Sequence, residues 1–258
     1  MKALTRRAAV LCSLLLLAAA GPASELHVAS SGGFAAAYKA LAPLYEQKTG
    51  EALFIAWGPS MGETPQAIPA RLARGEPLDA VIMVGYALDD LIKQGKVVPG
   101  SRVDLARAGI GVVVRAGTPH PDISSVEALK QALLAANSIA YSDSASGVYI
   151  QNEMFKKLGI ADQVAGKARM IPAEPVGAVV ARGEAEIGFQ QISELKPIRG
   201  IDLVGPLPPE VQIYTVFSGG IVSASGNQPQ AAALLRFFAS PEAAQAVTDS
   251  GMERMPGK

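Results

Sequence analysis

The chain has 258 residues, of which 49% are hydrophobic, and its 23 basic and 23 acidic residues give a formal net charge of zero. A chain of this length and apolar content can bury one or two hydrophobic cores. Because the net charge is small and no long run of one sign occurs, neither nucleic acid nor an anionic membrane surface is an expected partner.

The first 24 residues have the pattern of a cleaved secretory signal peptide. Lys2, Arg6 and Arg7 precede an apolar stretch at 8–20, and small residues follow it at 20–24. A transmembrane helix needs roughly 20 apolar residues, so we expect cleavage, a periplasmic location and no membrane anchor. Removal of residues 1–24 leaves 20 basic and 23 acidic residues. Local groups, and not the overall field, must then hold any anion.

The residue types that most often bind metals are scarce in this chain. Its one cysteine, Cys12, lies inside the signal peptide, which excludes disulfides, thiolate metal sites and cysteine nucleophiles from the mature chain. His27 and His120 lack the spacing of zinc ligands. The sequence therefore predicts no bound metal and no cofactor.

The predicted elements alternate between short β-branched runs and alanine- and leucine-rich helical stretches. This alternation favours an α/β fold with a largely parallel sheet. In chain order they are a strand at 26–29, a helix at 34–47, a strand at 52–56, a helix at 67–74, a strand at 80–83, a helix at 87–94, a strand at 109–115, a helix at 126–135, a strand at 138–141, helices at 148–158 and 176–182, a strand at 186–189, a strand at 211–224 and closing helices at 229–239 and 241–250.

Two long apolar strands, at 109–115 and 211–224, bracket the middle of the chain. A segment inserted between two such strands predicts two lobes joined by a hinge. We expect lobe 1 to comprise 25–108 and 211–258, and lobe 2 to comprise 109–210. Ligands of such folds lie in the cleft between the lobes, where strands end and helices begin.

Four polar loops at predicted strand ends are candidate anion sites. Serine hydroxyls and backbone N–H groups at a helix start suit an anion, although ordinary helix capping explains each loop taken alone. The loops contain Ser30 and Ser31, then Ser60, then Ser146 and Gly147, and finally Val176 after Pro175.

Several short segments together resemble the periplasmic molybdate-binding proteins, which have the type 2 solute-binding fold. The segments are Ala29-Ser30-Ser31, residues 73–80, Ser146-Gly147-Val148-Tyr149, and residues 183–188. The resemblance implies a two-lobed α/β architecture whose oxyanion is held by serines of the first two loops, by backbone N–H groups and by one tyrosine. It places these roles at Ser30 or Ser31, at Ser60, at Ser146 and at Val176, and we count Gly147 as a further binding candidate beside Ser146.

The sequence departs from that family at the tyrosine. The run at 188–191 puts Gln191 at its position, and the second loop is lengthened around 62–67. Both changes favour a ligand larger than molybdate. The chain also resembles a divergent branch of this fold, the bacterial aconitate isomerases, which implies cofactor-free interconversion of trans- and cis-aconitate. The alternative is a non-enzymatic receptor that delivers molybdate, tungstate or an organic carboxylate to an ABC permease.

An isomerase of this kind needs a general base, and the sequence leaves its identity open. The candidates are Asp143 in the third loop, Glu63 in the second loop and Tyr149. Glu174 and Tyr141 are two further candidates. No spacing ranks them, because each also suits a helix cap or a surface position. Three arginines are candidate partners of a carboxylate ligand, namely Arg71, Arg115 and Arg182.

Overall fold

The computed structural model describes residues 25–172 and 174–255, so the predicted signal peptide lies outside the described residues. The described residues form ten strands: β1 (Glu25–Ser30), β2 (Ala52–Trp57), β3 (Ala80–Val84), β4 (Val103–Arg115), β5 (Ile139–Ser142), β6 (Ala168–Ile171), β7 (Ile187–Gln191), β8 (Ile201–Pro206), β9 (Tyr214–Ile221) and β10 (Glu253–Arg254). They also form eleven α-helices: α1 (Ala35–Thr49), α2 (Ile68–Ala73), α3 (Gly85–Lys93), α4 (Val126–Ala135), α5 (Ala145–Tyr149), α6 (Phe155–Lys157), α7 (Ala161–Val164), α8 (Val176–Ala181), α9 (Ile192–Leu195), α10 (Gln228–Phe238) and α11 (Ala244–Asp249). Two 3₁₀ turns, Gly32–Phe34 and Pro241–Ala243, and one π-helical turn, Ile150–Met154, accompany them.

The strands make one hydrogen-bonded path in the order β2-β1-β3-β9-β4-β7-β5-β6, with β8 and β10 also paired to β4. Parallel pairs lie at its two ends, where β1 pairs with β2 and β3, and β5 pairs with β6 and β7. The prediction of a largely parallel sheet was wrong for the middle of the path. There β9 and β4 run antiparallel to their neighbours, because they carry the chain between the lobes and do not belong to β-α-β units.

The long strand β4 joins the two lobes. Its first half, Val103–Gly109, pairs with β9, and its second half pairs with β7 and β8. Buried side chains of its first half, such as Leu105, belong to the core that also contains β1, β3 and α10. Those of its second half, such as Val112, belong to a core with α4, β5 and β7. The fold is thus a two-lobed α/β structure with separate hydrophobic cores on either side of β4.

His27, named above, and Asp79, within the segment 73–80, have structural roles in lobe 1. Asp79 is buried at the start of β3 and accepts hydrogen bonds from the His27 backbone N–H at 2.9 Å and the Ser225 hydroxyl at 2.6 Å. The His27 ring packs against Phe54 with 5.3 Å between ring centroids. Within the described ranges, no helix combines the length and apolar character needed to span a bilayer.

Candidate functional site

The first two polar loops meet at the carboxyl ends of β1, β2 and β3. The Gly58 N–H donates to the Ser30 carbonyl at 3.1 Å, and the Ser31 N–H donates to the Ile82 carbonyl at 2.9 Å. Ser60 closes the same corner, since its hydroxyl accepts the Val84 N–H at 3.0 Å. All three serines are buried. The structure therefore brings Ser30, Ser31 and Ser60 together, as the sequence predicts.

The Ser31 hydroxyl differs from the hydroxyls of Ser30 and Ser60 in its hydrogen bonding. Its Oγ atom is buried and has no hydrogen-bond partner among the described residues. Burying a hydroxyl without a partner costs free energy, which a ligand that accepts its hydrogen bond would recover. Ser31 is thus the donor of lobe 1 that is free to serve an anion.

The third loop presents a cluster of hydroxyls from lobe 2. Ser142 Oγ lies 2.8 Å from Ser144 Oγ and 3.0 Å from Ser146 Oγ, at the junction of β5 and α5. Gly147 allows this junction, because a Cβ atom at that position would lie 1.5 Å from the Ser142 carbonyl oxygen. The sequence predicted Ser146 and Gly147 here, and Ser142 and Ser144 complete the cluster.

The fourth loop is already occupied by a side chain. The Val176 N–H at the start of α8 donates to Gln190 Oε1 at 2.9 Å, and both groups are buried. The resemblance assigns this N–H to the ligand, whereas here Gln190 satisfies it. A ligand could use it only by displacing the Gln190 side chain.

The two lobes touch through the short helix α9 and the end of β7. Ser193 Oγ donates to the Gly33 carbonyl at 2.8 Å, in a buried contact between lobe 2 and lobe 1. Gln191 lies beside it, and its Oε1 would be 2.8 Å from a Cβ atom on Gly33. Only 2% of Gln191 is exposed. The structure thus places Gln191 where the first loop and lobe 2 meet.

Glu194 in α9 extends the same contact and was not among the sequence candidates. Its Oε1 would lie 3.0 Å from a Cβ atom on Gly32, and its Oε2 is buried with no hydrogen-bond partner among the described residues. The Gln190 side chain, fixed by Val176, is within hydrogen-bonding reach of the Glu194 carboxyl group. A carboxyl group of lobe 2 therefore faces the glycine-rich loop of lobe 1.

The surroundings of Glu194 favour its protonated form. Burial, with a smaller contribution from the negative charge of Asp143, raises the pKa of Glu194 from 4.5 to about 7, against the opposing hydrogen bond from Gln190. A carboxyl group with a pKa near neutrality can both accept and donate a proton at physiological pH. This is the property that an acid–base catalyst requires.

The structure separates the three predicted base candidates. Asp143 is exposed in the third loop, close enough to act on Glu194 through its charge. Glu63 is exposed in the second loop. Tyr149 is buried, and its hydroxyl donates to the Val211 carbonyl at 2.7 Å. Tyr149 therefore has a structural hydrogen bond, and of the three only Asp143 is tied to the contact between the lobes.

The two further base candidates, Tyr141 and Glu174, and two of the three arginines contact residues away from this site. Tyr141 packs in the lobe 2 core against Phe155, and Glu174 pairs with Arg182 at 3.1 Å on the surface. Arg71 donates to the Trp57 carbonyl and pairs with Glu76, which ties the second loop to the residues before β3. Arg115 is exposed at the end of β4. The donors gathered at the contact between the lobes are accordingly hydroxyl and amide groups.

The site combines unpartnered polar atoms from both lobes. Ser31 Oγ and Glu194 Oε2 are buried and have no hydrogen-bond partner in the part of the chain that the structure describes, and the serines of the third loop lie in the same lobe as Glu194. Such an arrangement can hold carboxylates by hydrogen bonds and can exchange a proton with what it holds. Among residues 25–172 and 174–255, no cluster of three or more histidine, cysteine, aspartate or glutamate side chains is arranged to hold a metal ion.

Comparison with known proteins places the chain in a family. Residues 26–253 match the family model of the bacterial extracellular solute-binding proteins. The chain is 53% identical over 250 residues to an aconitate isomerase from a Pseudomonas species, covering 97% of this chain and 95% of that protein. It is 27% identical over 246 residues to the molybdate-binding protein ModA of Azotobacter vinelandii, covering 92% of each chain.

A solved structure shows the same fold. The periplasmic molybdate-binding protein of Azotobacter vinelandii superposes with a TM-score of 0.71 at 21% sequence identity, over 90% of this chain and 99% of that one. The resemblance inferred from short motifs is thereby confirmed, as is the two-lobed periplasmic binding-protein architecture. The chain belongs to the bacterial extracellular solute-binding proteins.

Proposed function

We propose that this protein is an aconitate isomerase that interconverts trans- and cis-aconitate without a cofactor. The observation that carries the proposal is the 53% identity to an aconitate isomerase, which extends over 97% of the chain and so includes both lobes and all four polar loops. The protein acts in the periplasm after loss of residues 1–24. Its lobes comprise 25–108 with 211–258, and 109–210.

The chemistry of aconitate suits the groups at this site. Its methylene carbon lies between a carboxylate and a conjugated double bond, so the anion left by proton removal is delocalised over three carbons and their carboxylates. Return of a proton at the other terminal carbon shifts the double bond, and the conformation held at the new double bond decides which isomer forms. The reaction needs an acid–base group and hydrogen-bond donors, and it needs no redox partner.

We assign the carboxylates of the substrate to the hydroxyl groups of the two lobes. Ser30, Ser31 and Ser60 offer hydroxyls from lobe 1, and Ser146 offers one from the third loop next to Gly147. A carboxylate forms charge-assisted hydrogen bonds with such donors, and these are stronger than bonds between neutral groups. Gln191, which stands at the position of the family's tyrosine, supplies an amide where that family has a phenol.

The alternative is a receptor that binds an anion and passes it to an ABC permease. The 27% identity to ModA over 92% of the chain favours it. The Glu194 carboxyl group favours the enzyme, because its pKa near neutrality suits proton transfer. An enzyme that moves a proton has a use for such a group, whereas a receptor for molybdate has none.

Incubation of the purified protein with trans-aconitate in deuterated water tests the proposal. We expect cis-aconitate to appear in the NMR spectrum in a protein-dependent reaction that persists with a metal chelator present. In parallel, the change in melting temperature is measured with molybdate, tungstate, sulfate, citrate and both aconitates. Tight aconitate binding without interconversion would leave a carboxylate receptor, and a shift with molybdate alone would leave an oxyanion receptor.

Ser31→Ala should weaken aconitate binding without destabilising the fold. Its hydroxyl has no hydrogen-bond partner within residues 25–172 and 174–255, so its loss removes a donor to the ligand and about 1–3 kcal/mol of binding free energy. Ser60→Ala is the matched comparison, because it also orphans the Val84 N–H and should lower the melting temperature. Calorimetric titration and thermal unfolding measure the two effects. Unchanged affinity in Ser31→Ala would move the ligand away from this loop.

A further inference from the structure

Glu194 is a partly buried residue whose carboxyl group faces the first loop. It belongs to α9, which packs on the Gly32–Phe34 turn through the Ser193 to Gly33 hydrogen bond. Oε1 faces Gly32, where any side chain would crowd the carboxyl group. Oε2 is sealed from solvent and has no partner among the described residues. The carboxyl group therefore lies at the contact between the two lobes.

We propose that Glu194 is the single proton carrier of the isomerisation, taking a proton from one terminal carbon of the aconitate allyl unit and returning it to the other. This inference rests on the proposed function. In the first step the carboxylate oxygen forms an O–H bond as the methylene C–H bond breaks, and the electron pair spreads over the allyl unit. In the second step the O–H bond breaks and a C–H bond forms at the opposite end.

The geometry of a carboxyl group suits this double task. Its two oxygens are about as far apart as the terminal carbons of an allyl unit, so one group on one face of the substrate can serve both. Gln190 holds the group in place, since its own Oε1 is anchored by the Val176 N–H. We assign Gln190 a positioning role, which explains why it occupies an N–H that the family resemblance assigns to the ligand.

The groups next to Glu194 allow it to change its protonation state near neutral pH. Asp143 is the charged residue that acts on Glu194, while Gln190 provides a neutral amide. Burial and Asp143 together bring the pKa of Glu194 to about 7. Near neutral pH the free enzyme then holds both forms, and the ionised form is the one that starts the reaction.

Glu194→Gln tests the inference, with wild type and the surface variant Glu127→Gln assayed in parallel. Loss of the base should lower kcat about 10²- to 10⁴-fold. Aconitate affinity should be kept or improved, because a negative charge next to the ligand disappears. Glu194→Asp should recover part of the activity. For wild type, kcat/KM should rise with pH to a plateau above about 7, and Asp143→Asn should move that rise to lower pH.

The outcomes separate this inference from the proposed function. If wild type fails to interconvert the aconitates, the proposed function is refuted. If wild type is active and Glu194→Gln keeps more than a tenth of its kcat, the role of Glu194 is refuted. Loss of aconitate binding in Glu194→Gln, seen as a missing thermal shift, would also overturn it, because the residue would then hold the ligand and not carry the proton.

Discussion

Glu194→Gln should stabilise the ligand-free protein at pH 8 by about 3 kcal/mol while leaving its stability near pH 4 unchanged. The folded state raises the pKa of Glu194 from 4.5 to about 7, and each unit corresponds to about 1.4 kcal/mol. As pH rises from 4.5 to 7, the unfolded chain releases this proton before the folded protein does, so wild type loses stability across that window. Glutamine does not titrate in this pH range, so the variant does not lose folding stability as the pH rises.

Chemical unfolding of the two proteins at several pH values measures this difference. Glu127→Gln, which changes an exposed carboxylate in the first turn of α4, is the matched control and should stay within about 1 kcal/mol of wild type at every pH. A variant that gains stability while losing turnover would show that the Glu194 carboxylate lowers the free energy of unfolding while it supports catalysis. Equal stabilities of wild type and Glu194→Gln at pH 8 would mean that the carboxylate is well solvated in the folded protein.

Gly147→Ala should destabilise the protein by several kcal/mol and abolish its thermal shift with aconitate. Alanine normally stabilises a helix relative to glycine by roughly 0.5–1 kcal/mol. At this position the added Cβ would lie 1.5 Å from the Ser142 carbonyl oxygen, so α5 must move away from β5. That movement separates Ser142 from Ser146 and dismantles the third loop.

Gly166→Ala is the control for this substitution. A Cβ atom on Gly166 would meet nothing within 4 Å, so the same chemical change should be close to neutral. Thermal unfolding of both variants, with and without aconitate, gives the comparison. A Gly147→Ala protein with wild-type stability and an intact ligand shift would show that the third loop tolerates displacement and does not hold the substrate.

Much of the fold could be predicted because its signals are local. Short apolar runs marked β1 to β3, and glycines with serines marked the loops that follow β1, β2 and β5. Strands with weaker local signals were missed: β6 has an exposed arginine and methionine, and β8 contains glycine and proline. The helix α9 was missed as well, since four residues are too short for a periodic pattern.

Some residues of the site could also be predicted from the local sequence, whereas others depend on tertiary contacts. The sequence by itself determined the serine and glycine loops, because each depends on residues close together in the chain, and the order of the long apolar runs indicated two lobes. Only the tertiary structure decided the place of Glu194, which looks like a surface residue of a short helix. Its partial burial arises because the fold places Ser193 on Gly33, 160 residues away. A contact of that sequence separation leaves no local pattern, yet it removes water from the carboxyl group and thereby sets its pKa.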